Sequence, residues 1–182
     1  MLKEFNLVVS TYRGRENDCI SELWYFLRDL GDRRFEASPT GLPGLIVART
    51  SLNPLDVVEK LREEVLKSPW YFRFILKVVP IAKVVPADLE TISSEASKMA
   101  LEAISPEETY KVIVRKRLSE LGTREVIEAV ASRIDRKVSL EKPDKVVVVE
   151  IIGDVAGIAV LKPDQIVSVQ KLKREARRAG WE

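Results

Sequence analysis

The chain has 182 residues, 46% hydrophobic and 32% charged, with a formal net charge of +2. That length allows one or two domains with a real core, and the near-balance of charge makes the placement of cations more informative than their total. It has no His and a single Cys, which excludes Ser-His-Asp and Cys-His triads, zinc sites built from His or several Cys, and a disulfide within the chain.

Residues 5–10 alternate as a strand, and 16–30 read as a helix whose apolar face is Ile20, Leu23, Trp24, Leu27 and Leu30. Gly31 ends it, and Cys19 and Trp24 read as core or near-core. Two short strands follow at about 33–38 and 44–50, separated by a Pro- and Gly-rich turn. Asn53-Pro54 opens a second helix, because Asn caps well and Pro suits the first helical position. Leu55, Val58, Leu61, Val65 and Leu66 form its stripe. Residues 70–79 read as a strand with Phe72, Phe74, Leu76 and Val78 on one face and Arg73 and Lys77 on the other. Trp70 and Tyr71 are assigned to core or dimer packing. Strand, helix, strand, strand, helix, strand is the ferredoxin-like order.

Pro80 and Pro86 bracket a connector, and the boundary between domains is placed there. A helix at about 88–104 follows, then a strand at 109–117, a helix at 124–135 capped by Thr123, and a short extended piece at 138–140. Residues 146–152 are a continuous apolar run, as expected of a central strand covered on both faces. Gly153-Asp154 signals a hairpin into 155–161. Within that pair Glu150 reads as an edge position with solvent access, in preference to a holder of a basic residue. A last extended piece at 165–169 leads into a basic tail, 171–178.

The chemistry of catalysis is poorly supplied. No two of the eight Gly have Gly-x-Gly spacing, so no dinucleotide or Walker loop is present. The adjacent carboxylates Glu63-Glu64 and Glu107-Glu108 diverge by about 100° on a helix and read as solvated charges. No metal and no cofactor are expected. No apolar run approaches the roughly 18 residues of a membrane span and no signal peptide is visible, so a cytoplasmic protein without membrane contact is expected.

Cations are grouped more sharply than the total suggests. Residues 1–90 hold 13 basic and 13 acidic residues; 91–182 hold 17 and 15. Lys111, Arg115, Lys116 and Arg117 fall in a stretch, 111–117, without an acidic residue, and alternation sends Lys111, Arg115 and Arg117 to one face. A second group is Lys171, Lys173, Arg174, Arg177 and Arg178; a third is Arg73, Lys77 and Lys83. Such rows neutralise phosphates and release counterions, although a solvated face has the same sequence. Trp70, Tyr71, Tyr110 and Trp181 lie beside these groups and could stack on bases.

Over residues 78–174 the chain resembles a THUMP domain, an RNA-binding module attached to many tRNA-modifying enzymes. The resemblance is carried by Val78-Val79-Pro80-Ile81, the basic strand Lys111 to Arg117, Thr123-Arg124-Glu125-Val126-Ile127, Val138-Ser139-Leu140 with Pro143-Asp144, and Val147-Val148-Val149-Glu150-Ile151-Ile152 followed by Gly157-Ile158-Ala159-Val160. It implies an α+β protein with a ferredoxin-like domain at 1–79, a THUMP-like α/β domain at 80–174 and a basic tail at 175–182. It also implies that the pair grips the acceptor end of tRNA, with Arg124 joining the three groups of cations.

Most members continue into a catalytic domain, whereas this chain ends at Glu182. No enzymatic activity is therefore expected of it. It is most similar to stand-alone members that assist a separate acetyltransferase in making acetylcytidine in tRNA. A recognition subunit for thiolation or methylation, and a protein-interaction module without direct RNA contact, remain alternatives.

Overall fold

The computed structural model describes residues 1–180. The chain forms two compact units: Met1–Pro80 together with the segment from Gln165 onward, and Ile81–Asp164.

The first unit contains β1 (Leu7–Ser10), α1 (Glu16–Asp29), β2 (Glu36–Pro39), β3 (Leu45–Arg49), α2 (Pro54–Lys67) and β4 (Lys77–Pro80). Its antiparallel sheet has the order β10-β4-β1-β3-β2, where β10 (Val167–Ser168) is contributed from near the end of the chain. The first six elements thus keep the ferredoxin-like order, with β1 flanked by β3 and β4. Asn53 caps α2 by accepting from the Leu55 N–H, with Pro54 at the first helical position. Gly44 has a φ of +73°, and a Cβ there would lie 2.7 Å from the Thr11 carbonyl oxygen, so the β2–β3 turn can approach β1 only through a glycine.

The core of this unit joins Leu7, Val9, Cys19, Leu23, Phe26, Leu27, Ile46 and Ala48 to Val57, Val58, Leu61 and Val65. Trp24 lies outside it: Phe26 takes the core position, while Trp24 is exposed with Arg28 stacked 4.9 Å from its ring centre. Leu55 and Leu66 are likewise exposed, and Trp70 is 77% exposed. The strand expected over 70–79 is confined to 77–80. The cause lies in α1, where the Glu22 carboxylate accepts the backbone N–H groups of Arg73, Phe74 and Ile75 at 2.8, 3.0 and 3.0 Å. Three donors that a strand partner would need are taken by one side chain. Phe72 and Ile75 are buried from this irregular segment.

The expected basic tail is a helix, α5 (Val169–Ala179), capped by the Ser168 hydroxyl, which accepts from the Lys171 N–H. Val169 and Leu172 bury it against the core of the first unit. A stripe this short, set among cations, is sufficient because β10 pairs with β4 and delivers the helix to that core.

The second unit contains β5 (Lys83–Pro86), α3 (Leu89–Ala103), β6 (Thr109–Arg117), α4 (Thr123–Ala131), β7 (Lys137–Val138), β8 (Lys145–Ile152) and β9 (Val155–Leu161). The sheet order is β5-β9-β8-β6-β7. β6 runs parallel to both β7 and β8; β9 is antiparallel to β8 and β5. The connector expected between Pro80 and Pro86 is therefore partly an edge strand, a position that tolerates Pro. Asp88 caps α3 through the Thr91 N–H, and the helices pack Ile92, Ala96, Ala100, Val126 and Val130 on Tyr110, Val114, Val147, Val149 and Ile151. The β8–β9 turn has a φ of +62° at Gly153, a conformation that favours glycine at the first turn position. No helix among the described residues is long and apolar enough to cross a membrane.

Candidate nucleic-acid interface

The division into units redistributes the charge. The first unit has 17 basic and 13 acidic residues and the second 13 and 15, so the cationic excess belongs to the first. Counting by halves of the chain conceals this, because α5 lies far in sequence from the unit it joins.

In the second unit β6 carries the expected row. Tyr110, Val112 and Val114 face the helices, so alternation places Lys111, Arg115 and Arg117 on the opposite side of the sheet. Lys116 leaves from the helix-bearing side. Arg115 and Lys116 are exposed, and Lys111 is half-buried with its ammonium 3.4 Å from the Leu140 carbonyl oxygen. β7 adds exposed Lys137, in register with Thr109 and thus on the side of Lys111 and Arg115.

Arg117 differs from its neighbours. Its guanidinium donates to the carboxylate of Glu150, which is only 2% exposed. The expectation of a solvent-accessible edge for Glu150 is thereby corrected, since β8 is an inner strand between β9 and β6. The remaining two residues of this unit lie away from β6. Lys83 is on edge strand β5, ion-paired at 2.9 Å with Glu95 of α3. Arg124 is on the surface of α4, paired at 2.9 Å with Glu128 one turn on.

In the first unit the structure brings α5 beside the end of β1 and the start of β4. Gln170, Lys173, Arg174 and Arg177 recur at three and four residues, which puts them on one side of the helix. They line a cleft of about 440 Å³ together with the apolar Ile75, Leu76 and Val169 and the ring of Tyr12. Among the described residues no acidic side chain lines it. Lys173 is fixed, because its ammonium donates to the Phe72 carbonyl. Arg174 and Arg177 are exposed. Lys171 is exposed on α5 but does not line the cleft.

Arg73 is exposed in the segment held by Glu22, 5.7 Å from the Phe74 ring centre, and Lys77 is half-buried in β4. Arg73 and Lys77 therefore belong to the first unit and Lys83 to the second. Tyr12 has no distinguishing signal in the sequence; only the fold sets it against α5. Trp181 lies outside the described residues.

The other ionisable groups have structural surroundings. Burial pushes the Cys19 thiol up to about 12, which makes it a poor nucleophile. Asp32 is buried, which raises its pKa, yet the hydroxyls of Ser51 and Thr50 and the N–H groups of Arg34 and Ser51 together hold it below the usual value. Among the described residues no group of three or more His, Cys, Asp or Glu side chains is placed to hold a metal.

The architecture is thus a ferredoxin-like unit, completed by the last helix, together with an α/β unit that exposes a cationic strand. Residues 86–161 match the sequence profile of the THUMP domain. The chain contains a THUMP domain, and it spans α3, β6, α4, β7, β8 and β9. Comparison with curated protein sequences returned no match.

Solved structures share the fold of both units. PH1313 from Pyrococcus horikoshii is 20% identical with a TM-score of 0.62, covering 87% of this chain and 55% of its own. TrmN from Thermus thermophilus is 19% identical with a TM-score of 0.57, covering 86% and 45%. A 4-thiouridine synthetase, solved with RNA and bound ATP, is 18% identical with a TM-score of 0.55, covering 87% and 42%. The chain spans about half the length of each of these three structures.

Proposed function

We propose that the protein is a non-catalytic tRNA-binding adaptor that presents tRNA to a separate modifying enzyme, a tRNA cytidine acetyltransferase. The observation that carries this reading is the coincidence of the THUMP profile with β6, whose Lys111 and Arg115 project from one face of a strand paired along residues 110–117 with β8. Cations on a rigid element can follow a phosphate backbone without reading its sequence. Holding a substrate in one orientation is itself a contribution to the rate of a partner's reaction. The adaptor role is supported by the absence of His and of a Gly-rich loop, and by the inert setting of Cys19. The acetylation role is supported by the similarity of Val78-Val79-Pro80-Ile81 and of the 147–152 run to stand-alone members of the family.

The test is analysis of modified nucleosides in tRNA from a strain lacking the gene. Loss of acetylcytidine with other modifications intact is the expected result. Loss of a thiolated or methylated nucleoside would reassign the partner enzyme. An unchanged nucleoside profile would contradict a role in tRNA modification.

A further inference from the structure

We infer that the cleft between Tyr12 and α5 is a second RNA site, taking an unpaired nucleotide with its base on the Tyr12 ring and its phosphate on Arg174 and Arg177. The inference rests on the RNA-binding reading above, but it uses different residues and a different unit.

Four features carry it. The cleft combines an apolar lining of Ile75, Leu76 and Val169 with three cations supplied by α5 and one aromatic ring, Tyr12. Tyr12 is 48% exposed although it follows buried Thr11 at the end of β1. A large ring left half open beside three cations is a stacking platform, because every base has an apolar face and carries a phosphate next to it. Duplex RNA keeps its bases inside, so a ring in a cleft can be reached only by an unpaired nucleotide.

The cations are also unequal. Lys173 is anchored on the Phe72 carbonyl, which fixes its position, whereas Arg174 and Arg177 extend freely enough to fork onto phosphate oxygens. Their spacing of three residues keeps both guanidinium groups on the same stripe. Finally, the charge excess of the first unit is in α5, with five basic residues after Gln165. The helix therefore gives an otherwise balanced ferredoxin-like unit its affinity for an anion.

The experiment uses the full chain and a labelled single-stranded hexaribonucleotide, the same oligomer with abasic positions, folded tRNA, AMP and polyglutamate. Fluorescence anisotropy is measured for the wild type, Tyr12→Ala, Tyr12→Phe and Arg174→Ala/Arg177→Ala, with thermal melts to check folding. The expected result is a loss of about 5- to 100-fold in hexanucleotide affinity for Tyr12→Ala, near-wild-type affinity for Tyr12→Phe, and a comparable loss when the abasic oligomer meets the wild type. The double Arg variant should lose affinity with a shallower salt dependence.

Equal affinity of wild type and Tyr12→Ala for the hexanucleotide would overturn the inference, as would equal affinity of the wild type for intact and abasic oligomers. Tight AMP binding that outcompetes the oligomer would overturn it in favour of a free nucleotide, and equal competition by polyglutamate in favour of an acidic protein. If Tyr12→Ala leaves hexanucleotide binding unchanged while wild type still binds folded tRNA, this inference fails and the proposed function stands. If Tyr12→Ala weakens hexanucleotide binding but folded tRNA does not bind, the proposed function fails.

Discussion

Replacing Arg117 by Ala tests whether this residue belongs to the RNA face or to the frame of the second unit. Glu150 is almost completely buried on an inner strand, and the Arg117 guanidinium donates to its carboxylate. Removing one partner of a buried pair costs about 3–5 kcal/mol, because the remaining charge is left without compensation. The Arg117 side chain is 26% exposed, so water reaches the edge of the pair, and the cost is set at about 2–3 kcal/mol. An exposed cation of the kind the strand pattern suggests would change stability by no more than about 0.5 kcal/mol.

The described tryptophans Trp24 and Trp70 both lie in the first unit, so their fluorescence cannot report this loss. Urea unfolding followed by far-UV circular dichroism, with amide exchange read on β6 and β8, supplies the measurement. Arg117→Ala should lower the stability of the second unit by that amount, and Arg117→Met with Glu150→Leu should recover most of it, because apolar replacements of a buried pair are often neutral or better. A single variant within about 0.5 kcal/mol of wild type would refute the assignment of Arg117 as a structural partner of Glu150.

Replacing Lys111 and Arg115 together by Ala should weaken tRNA binding and lower the salt slope by about 0.7–0.9 for each phosphate that is no longer neutralised; affinity titrations at several salt concentrations check this. Asp32 is held below the usual carboxylate value, so its stabilising contribution is present above the unfolded pKa of about 3.9 and is lost as pH falls through the lower folded value. Asp32→Asn should therefore destabilise the first unit at pH 7 and flatten its loss of stability in acid, as read by tryptophan fluorescence in urea at both pH values. With its thiol pushed up to about 12 and fully buried, Cys19 should resist maleimide in the native protein and label only as the first unit opens, at a rate that rises with urea.

The elements that are legible in the sequence are those whose local pattern and tertiary role agree. β6, β8 and β9 combine strand patterning with a hairpin glycine, and the structure places them close to the expected bounds; α4 departs, since it runs Thr123–Ala131 with Thr123 inside the helix and Gly122 at its N-cap without a side-chain cap, so it ends four residues before the expected 135. Failures occur where a distant residue decides. Residues 70–76 have strand alternation, yet Glu22, some 50 positions earlier, accepts three of their N–H groups. α5 reads as a solvated tail because its cations outnumber its apolar residues; pairing of β10 with β4 makes it part of the first unit. The same pairing creates the cleft, so spacing alone does not connect Tyr12 to Arg174 and Arg177. Glu150 misleads because an acid in an apolar strand suggests an edge, whereas the strand order makes β8 internal.

Whether this chain binds tRNA through cations held on folded elements is decided by the affinity of the full chain for unmodified tRNA transcript, measured from low to physiological salt. Binding is expected whose logarithm falls linearly with the logarithm of salt concentration, with a slope corresponding to several neutralised phosphates, and Lys111→Ala/Arg115→Ala should bind more weakly. No detectable tRNA binding at low salt by the correctly folded wild type, or binding with no salt dependence, would contradict it.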